Sequence, residues 1–259
     1  MAIKVEILES NEEKIRFIVR GINYTIANAI RRSSFEIPMP AIDELEITEN
    51  SSVLYDEILA NRLCLIPFVP NREINEREKC SCKGKGCSKC TLKVKLEVEG
   101  KKEGCMIYAS SIKGEAKPLF PEMPVVWLES GQEIKLVASI KLGKALEHAK
   151  YQAGLFTYYP LALLKSFDAK AKAFENPEVK EMLKKFKISL EKGEELDEKQ
   201  YEILDYIKDK WPETKIELEL SESDFVFDIE SFSYLKPKDI FIKAIEALDA
   251  NLAELAKIK

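Results

Sequence analysis

Four of the six cysteines in this chain lie within eleven residues, in the spacing C-x-C-x4-C-x2-C. The four are Cys80, Cys82, Cys87 and Cys90. Gly84 and Gly86 lie between the two close pairs, and glycines in left-handed conformations let a short loop curl until all four thiolates face one centre. No His, Asp or Glu is needed to complete such a ligand set. The spacing therefore predicts a closed structural metal site without an open position for substrate.

Other uses of these cysteines fit the sequence less well. Disulfides are typical of small secreted chains, whereas this chain has 259 residues and no secretory leader pattern after Met1. An iron–sulfur cluster also takes four thiolates, but its usual spacings differ and often place Pro after the last Cys, where Thr91 stands here. Zinc is favoured for these reasons. Cys64 and Cys105 are interpreted as small buried hydrophobic residues.

Composition limits the remaining classes of function. Hydrophobic residues make up 46% of the chain and charged residues 33%, which is typical of a globular protein. No apolar run approaches the roughly 18 residues of a membrane span, so we expect a cytoplasmic protein that contacts no membrane. The net charge is −5, and residues 166–222 hold 16 acidic and 11 basic residues, which accounts for all of it. Without clustered positive charge, direct binding of nucleic acid is not expected.

The elements that position the cysteines are mixed helix and strand, so we predict an α+β fold. Alternation of apolar and charged residues over Leu92–Val98, and apolar residues at every second position over Ile134–Leu142, predict antiparallel strands. We further predict an N-terminal hairpin, a helix over Tyr24–Arg32 with Ile26, Ala29 and Ile30 facing inward, a strand near Leu45, a helix capped by Ser52, helices near Val179–Ile188 and Glu198–Trp211, strands over Ile216–Leu220 and Phe225–Ile229, and a last helix opened by Lys236 and Pro237.

The last helix carries an apolar stripe at alternating steps of four and three residues. Its members are Phe241, Ile245, Leu248, Leu252 and Leu255. This spacing is typical of a helix that packs lengthwise on another helix. Ordinary core packing of an amphipathic helix is the alternative. We favour a partner helix, because the stripe runs almost to the end of the given sequence.

A search for catalytic residues is unproductive. His148 is the only histidine, which excludes Ser-His-Asp triads and two-histidine metal sites. The glycines of the cysteine loop lack the G-K-[ST] ending of a phosphate-binding loop. We therefore predict no active site in this chain and interpret it as an assembly or interaction protein.

Several motifs resemble a known family. They are Gly21 with Ala27–Arg32, Leu54–Leu63 with Ile66 and Pro67, Leu142–Lys150, and Leu235–Pro237. In this order, and over nearly the whole chain, they resemble the alpha-like D subunit of archaeal DNA-directed RNA polymerases, a relative of the bacterial alpha subunit and of the eukaryotic third-largest subunit. The cysteine loop is similar to a zinc loop of the eukaryotic relative.

The resemblance implies an alpha-like dimerisation domain built from both chain ends, 1–40 and 223–259 together with 141–165. It implies a β-rich insert domain over 41–140 that carries the metal loop 80–90. It also implies a second small α/β lobe over 166–222, a degenerate ferredoxin-like lobe. Some archaeal relatives hold an iron–sulfur cluster in that lobe, but residues 166–222 contain no Cys, which excludes a cluster there.

The resemblance also implies partners. The chain would pair with the small alpha-like subunit L through the stripe of the last helix, and would nucleate assembly with subunits N and P and the two large subunits. Arg31 and Arg32 would contact a large subunit. Two alternatives stay open on the residues alone, namely an iron–sulfur redox protein and a zinc-containing chaperone adaptor with a C-x-G-x-G-C motif.

Overall fold

The computed structural model of the protein describes residues 2–258, in which five α-helices and thirteen strands alternate. The strands are β1 Lys4–Ser10, β2 Lys14–Arg20, β3 Met39–Asn50, β4 Phe68–Pro70, β5 Leu92–Glu99, β6 Cys105–Tyr108, β7 Lys113–Gly114, β8 Ala116–Pro118, β9 Pro124–Leu128, β10 Glu133–Gly143, β11 Gly154–Ser166, β12 Glu195–Leu196 and β13 Glu217–Ser231. The helices are α1 Tyr24–Ser33, α2 Asp56–Cys64, α3 Pro177–Lys185, α4 Glu198–Lys210 and α5 Pro237–Leu255. None of the helices within 2–258 is long and apolar enough to span a lipid bilayer.

The chain divides into two compact units. The first unit contains residues 2–10, 15–28 and 157–228, and the second contains 11–14, 29–156 and 229–258. The mixed helix and strand content agrees with the predicted α+β class, and strands predominate. The predicted hairpin, the helix over Tyr24–Arg32 and the last helix are confirmed.

The first unit is organised by a five-stranded sheet in the order β1-β2-β13-β11-β12. Phe17 of β2 and Phe227 of β13 stack in its core, with ring centroids 5.6 Å apart. The segment predicted as an acidic lobe contains α3 and α4 and has apolar residues of its own. They include Val179, Ile188, Leu196, Leu204, Ile207 and Ile216, all buried, and they pack in one cluster with Leu164 of β11. The prediction of two strands between Ile216 and Ile229 is wrong, because β13 runs through this region without a break.

The second unit is built on a four-stranded sheet in the order β3-β10-β5-β7. The central strand β10 pairs antiparallel with β3 and with β5, and Leu136 lies opposite Leu96. Both leucines are buried, as the alternating sequence predicts, and their charged neighbours face solvent. Helix α2 covers this core with Leu59 and Leu63, which are fully buried.

Two helix details differ from the predictions. Ser52 does not cap α2, because its Oγ accepts a hydrogen bond from Leu54 N in the preceding turn, and α2 begins only after Tyr55. In α1, the predicted inward residue Ile30 is buried and Ala29 is half-buried, but Ile26 is 43% exposed and the fully buried Ala27 was not predicted.

Candidate functional site

The cysteine loop precedes β5 and turns back on itself twice. Cys80 and Cys90 are buried, and Cys82 and Cys87 are half-buried. Gly84 and Gly86 have φ values of 81° and 80°, so the predicted left-handed turns are confirmed. Lys83 also has a positive φ of 52°, which the sequence did not predict.

The four sulfur atoms converge on one point. The Sγ–Sγ distances are 3.7 Å for Cys80–Cys87, 3.6 Å for Cys82–Cys90 and 3.9 Å for Cys87–Cys90. All four sulfurs lie within 4.8 Å of one another, and none forms a disulfide. Metal–sulfur bonds of about 2.3 Å in a tetrahedron place the sulfurs about 3.8 Å apart. The predicted residues therefore come together in an arrangement that fits one metal ion.

The loop backbone supports this arrangement. Cys87 N donates to Cys90 Sγ over 3.3 Å, and Cys90 N and Thr91 N both donate to Cys87 O. An N–H directed at sulfur stabilises the thiolate form that metal binding requires.

The thiols differ in acidity because they crowd one another. Burial raises the pKa of Cys82, but hydrogen bonds from Cys80 and Cys90 lower it to a net value of about 7. A backbone hydrogen bond from Lys89 lowers the pKa of Cys87, yet burial and the neighbouring sulfurs raise it to about 11. One thiol of the set ionises readily, and further charge on the loop then becomes costly without a cation.

Two arginines contact the loop more closely than its own lysines do. The lysines at positions 79, 83, 85 and 89 are exposed. Arg77 is only 21% exposed and pairs with Asp43 of β3, 3.1 Å away. Arg72 donates to Thr91 O at the other end of the loop. No sequence signal marked these two residues, because their partners are distant in the chain.

Helix α5 divides the predicted stripe between two environments. Phe241 and Leu248 are half-buried, and the Phe241 ring stacks on Phe156. Ile245, Leu252 and Leu255 are exposed, with exposed fractions of 41%, 54% and 61%. The face that packs inside the unit consists of Pro237, Ile240 and Ala244. Asn251 Nδ2 also donates to Glu36 Oε1, 2.7 Å away, and fixes the outer part of the helix.

The two arginines of α1 lie in its last turn, where positive charge favours the helix dipole. The Arg31 guanidinium lies 5.8 Å from the centre of the Phe35 ring and is half-buried. Arg32 is exposed. The two side chains therefore occupy different surroundings, although the same role was predicted for both.

Strand β1 carries an apolar surface that the sequence analysis overlooked. Val5 and Ile7 lie opposite the buried residues Val19 and Phe17 of β2, yet they are 58% and 59% exposed. Ile3, which immediately precedes the strand, is 63% exposed. Alternation predicted the strand but gave no indication that nothing within the unit covers it.

The chain is similar in sequence to subunits of DNA-directed RNA polymerases. Residues 44–156 match the family described as the RNA polymerase Rpb3/RpoA insert domain. The chain is 31% identical to the DNA-directed RNA polymerase subunit Rpo3 of Pyrococcus furiosus, over 99% of this chain and 98% of that protein. It is 27% identical to Rpo3 of Natronomonas pharaonis over 97% and 96% of the two chains. The match to Rpo3 of Thermococcus kodakarensis is 38% identical and covers 61% and 59% of the two chains.

Proposed function

Since the chain belongs to the Rpo3 family of DNA-directed RNA polymerase subunits, we propose that it is a non-catalytic assembly subunit of that enzyme. The observation that carries this proposal is the match to the Pyrococcus furiosus subunit from end to end. The archaeal alpha-like subunit that the sequence motifs resemble and Rpo3 are the same kind of protein. The redox and chaperone alternatives receive no support from the names of the relatives.

We propose that the chain pairs with the small alpha-like subunit L through the exposed part of α5. Ile245, Leu252 and Leu255 expose apolar surface along one side of this helix. Burying such side chains against a partner helix contributes about 1.5–3 kcal/mol for each large residue that becomes fully buried. Phe241 and Leu248 would contribute less area to the contact, because they are already half-buried within the unit.

The remaining partners are subunits N and P and the two large subunits. Arg32, and Arg31 beside it, would make charge-assisted contacts with a large subunit. We place the complex in the cytoplasm. We also keep the proposed domains, namely 1–40 and 223–259 with 141–165 for dimerisation, 41–140 as the insert domain and 166–222 as a degenerate ferredoxin-like lobe.

The metal loop would hold a single zinc ion with a structural role. Its support is the chemistry of four thiolates and the separations of 3.6 to 3.9 Å in three of their pairs. A four-iron cluster binds each thiolate through a different iron and so requires the sulfurs to be more widely spaced. The zinc ion would cross-link the segment before the loop to β5.

Co-expression with subunit L tests the assembly role. We expect a complex of one copy of each chain by size-exclusion chromatography with light scattering, and self-association of the chain expressed alone because its apolar helix face is uncovered. A stable monomer that ignores added subunit L would contradict the proposal.

A further inference from the structure

Arg77 is a residue of the second unit that connects the metal loop to the central sheet. Its carbonyl oxygen accepts a hydrogen bond from Cys80 N over 3.3 Å, at the first metal ligand. Its side chain extends in another direction, and Nη1 lies 3.1 Å from Asp43 Oδ2 on β3. One residue thus contacts both the loop backbone and the sheet.

Asp43 is itself held from two sides. Its second oxygen, Oδ1, lies 3.2 Å from Lys141 Nζ on β10. The exposed fractions of Arg77, Asp43 and Lys141 are 21%, 20% and 21%. Ion pairs this shielded from water are screened less by salt than exposed ones, and loss of one partner leaves a partly buried charge.

The guanidinium of Arg77 also approaches the second half of the loop. A Cβ atom at Gly86 would lie 3.8 Å from its Nη2, and Gly86 immediately precedes the ligand Cys87. Arg77, Gly86 and Cys87 line a common cleft of about 430 Å³. Four thiolates with one divalent cation carry a net charge of −2, which a fixed positive charge nearby would stabilise.

Within the described residues, the buried Nε–H of Arg77 has no hydrogen-bond acceptor. The hydrogen bonds of Arg77 are therefore incomplete, and they alone do not explain why an arginine occupies this position. The proximity of its positive charge to both halves of the loop explains the position better.

We propose that Arg77 is a positioning residue for the metal loop. Paired with Asp43, it fixes the loop against β3 and places positive charge beside the thiolates. This inference rests on the proposal that the loop holds a metal ion.

Arg72 provides a matched control. It also contacts the loop, with Nη2 3.2 Å from Thr91 O, and it pairs with Glu115. That ion pair is more exposed, at 37% and 47%, and exposed pairs contribute little to stability. If any arginine beside the loop were equivalent, Arg72→Ala and Arg77→Ala would have the same effect.

The experiment measures zinc release from the full chain to a chromogenic chelator, with the subunit L complex as a second preparation. We expect Arg77→Ala to release zinc about tenfold faster than wild type, or more, as the loss of a charge-assisted hydrogen bond implies. The release rate of Arg77→Lys should lie between those of wild type and Arg77→Ala, because lysine keeps the positive charge but lacks the planar set of N–H donors of the guanidinium. Arg72→Ala should stay within about twofold of wild type.

Two further measurements separate positioning from a general loss of stability. In an Asp43→Asn background, Arg77→Ala should increase the rate of zinc release by a smaller factor than it does in wild type, because the two residues act as a pair. With cobalt in place of zinc, wild type and Arg77→Ala should give the same tetrahedral thiolate spectrum. When the chelator is added, this spectrum should disappear faster in the variant. If Arg77→Ala does not fold, Asp43→Asn and Arg77→Lys provide the comparison with Arg72→Ala.

Equal release rates for Arg77→Ala and Arg72→Ala, in protein that binds zinc, would overturn the inference. Wild-type protein that binds neither zinc nor cobalt would instead overturn the proposed metal site. The two failures are therefore distinguishable.

Discussion

The metal loop and helix α5 both lie in the second unit, but they differ in where their ligands and neighbours are found. The loop brings its four sulfurs together within eleven residues of its own sequence, and its neighbours Asp43 and Lys141 belong to the same chain. Helix α5 buries one face within the unit and exposes Leu252 and Leu255 on another.

This difference separates two kinds of information in a sequence. Ligand spacing describes a site that is complete in one chain, because the metal brings no sequence of its own. An apolar stripe describes only half of an interface, because the surface that would cover it belongs to another chain. We therefore expect the loop to bind its metal without a partner and α5 to need a partner chain.

Removal of one thiolate should have the largest effect. We expect wild-type protein purified without oxygen to contain about one zinc per chain, and Cys80→Ser to contain almost none, because three thiolates cannot close the site. Elemental analysis and thermal unfolding of the insert domain measure this. Cys105→Ser, which lies outside the cluster, should retain the metal. Iron with stoichiometric sulfide in wild type would show that the ion is misassigned.

An acidic side chain on the exposed face of α5 should have the next largest effect. Leu252→Asp should weaken pairing with subunit L by at least about a hundredfold, because a carboxylate would be buried without a partner. The secondary structure of the isolated chain should not change, since the side chain is 54% exposed there, although its self-association should weaken.

Isothermal titration of subunit L into the variant measures this loss. Ala250→Asp is the matched control, since residue 250 is exposed and two residues from Leu252, which turns it to the other side of the helix. Pairing of Leu252→Asp at the wild-type affinity would show that α5 is not the contact.

The two regions were also unequally predictable. The four cysteines, the glycine turns and the strand after them follow from local chemistry, so the sequence sufficed. The pairing of Arg77 with Asp43 depends on β3 lying beside the loop, which no local pattern encodes. In α1 the helical period correctly predicted Ile30 as buried but also predicted Ile26, which is 43% exposed, and it missed the buried Ala27. For β1, alternation gave the strand, but exposure of Val5 and Ile7 depends on what the rest of the unit covers.

Acid should release metal from the loop but leave α5 pairing unchanged. The pKa of Cys87 is about 11 and that of Cys82 about 7 without metal, so metal binding near neutral pH expels at least the Cys87 proton. Affinity should therefore rise about tenfold per pH unit for each proton released, and fall by the same factor as pH falls. Zinc competition titrations between about pH 6.5 and 8.5 measure the slope. A flat profile would argue against thiolate ligands.

Loss of the exposed arginine of α1 should have a smaller effect, confined to assembly. Arg32→Ala should leave the melting temperature and subunit L pairing unchanged, because the side chain is exposed. Recruitment of the second-largest subunit should weaken by about tenfold, the usual effect of losing one charge-assisted hydrogen bond. Arg32→Lys should recover part of it. Full recruitment by Arg32→Ala in a quantitative pull-down would remove the role proposed for this residue.

Deletion of the acidic lobe should have the smallest effect on pairing. Asp168 N donates to Thr214 O over 2.7 Å, so a short Gly/Ser linker can replace residues 169–213 without moving β11 or β13. The deletion removes β12 and the Arg20–Glu195 ion pair, and it uncovers Leu164. Leu164→Ser should accompany it to limit aggregation.

Thermal stability of the deletion variant should fall, because buried apolar area is lost. Affinity for subunit L should stay within about twofold of wild type, since the proposed contact is on α5. A large loss of pairing in a folded deletion variant would show that the lobe belongs to the dimerisation domain, and that α5 alone does not define the interface.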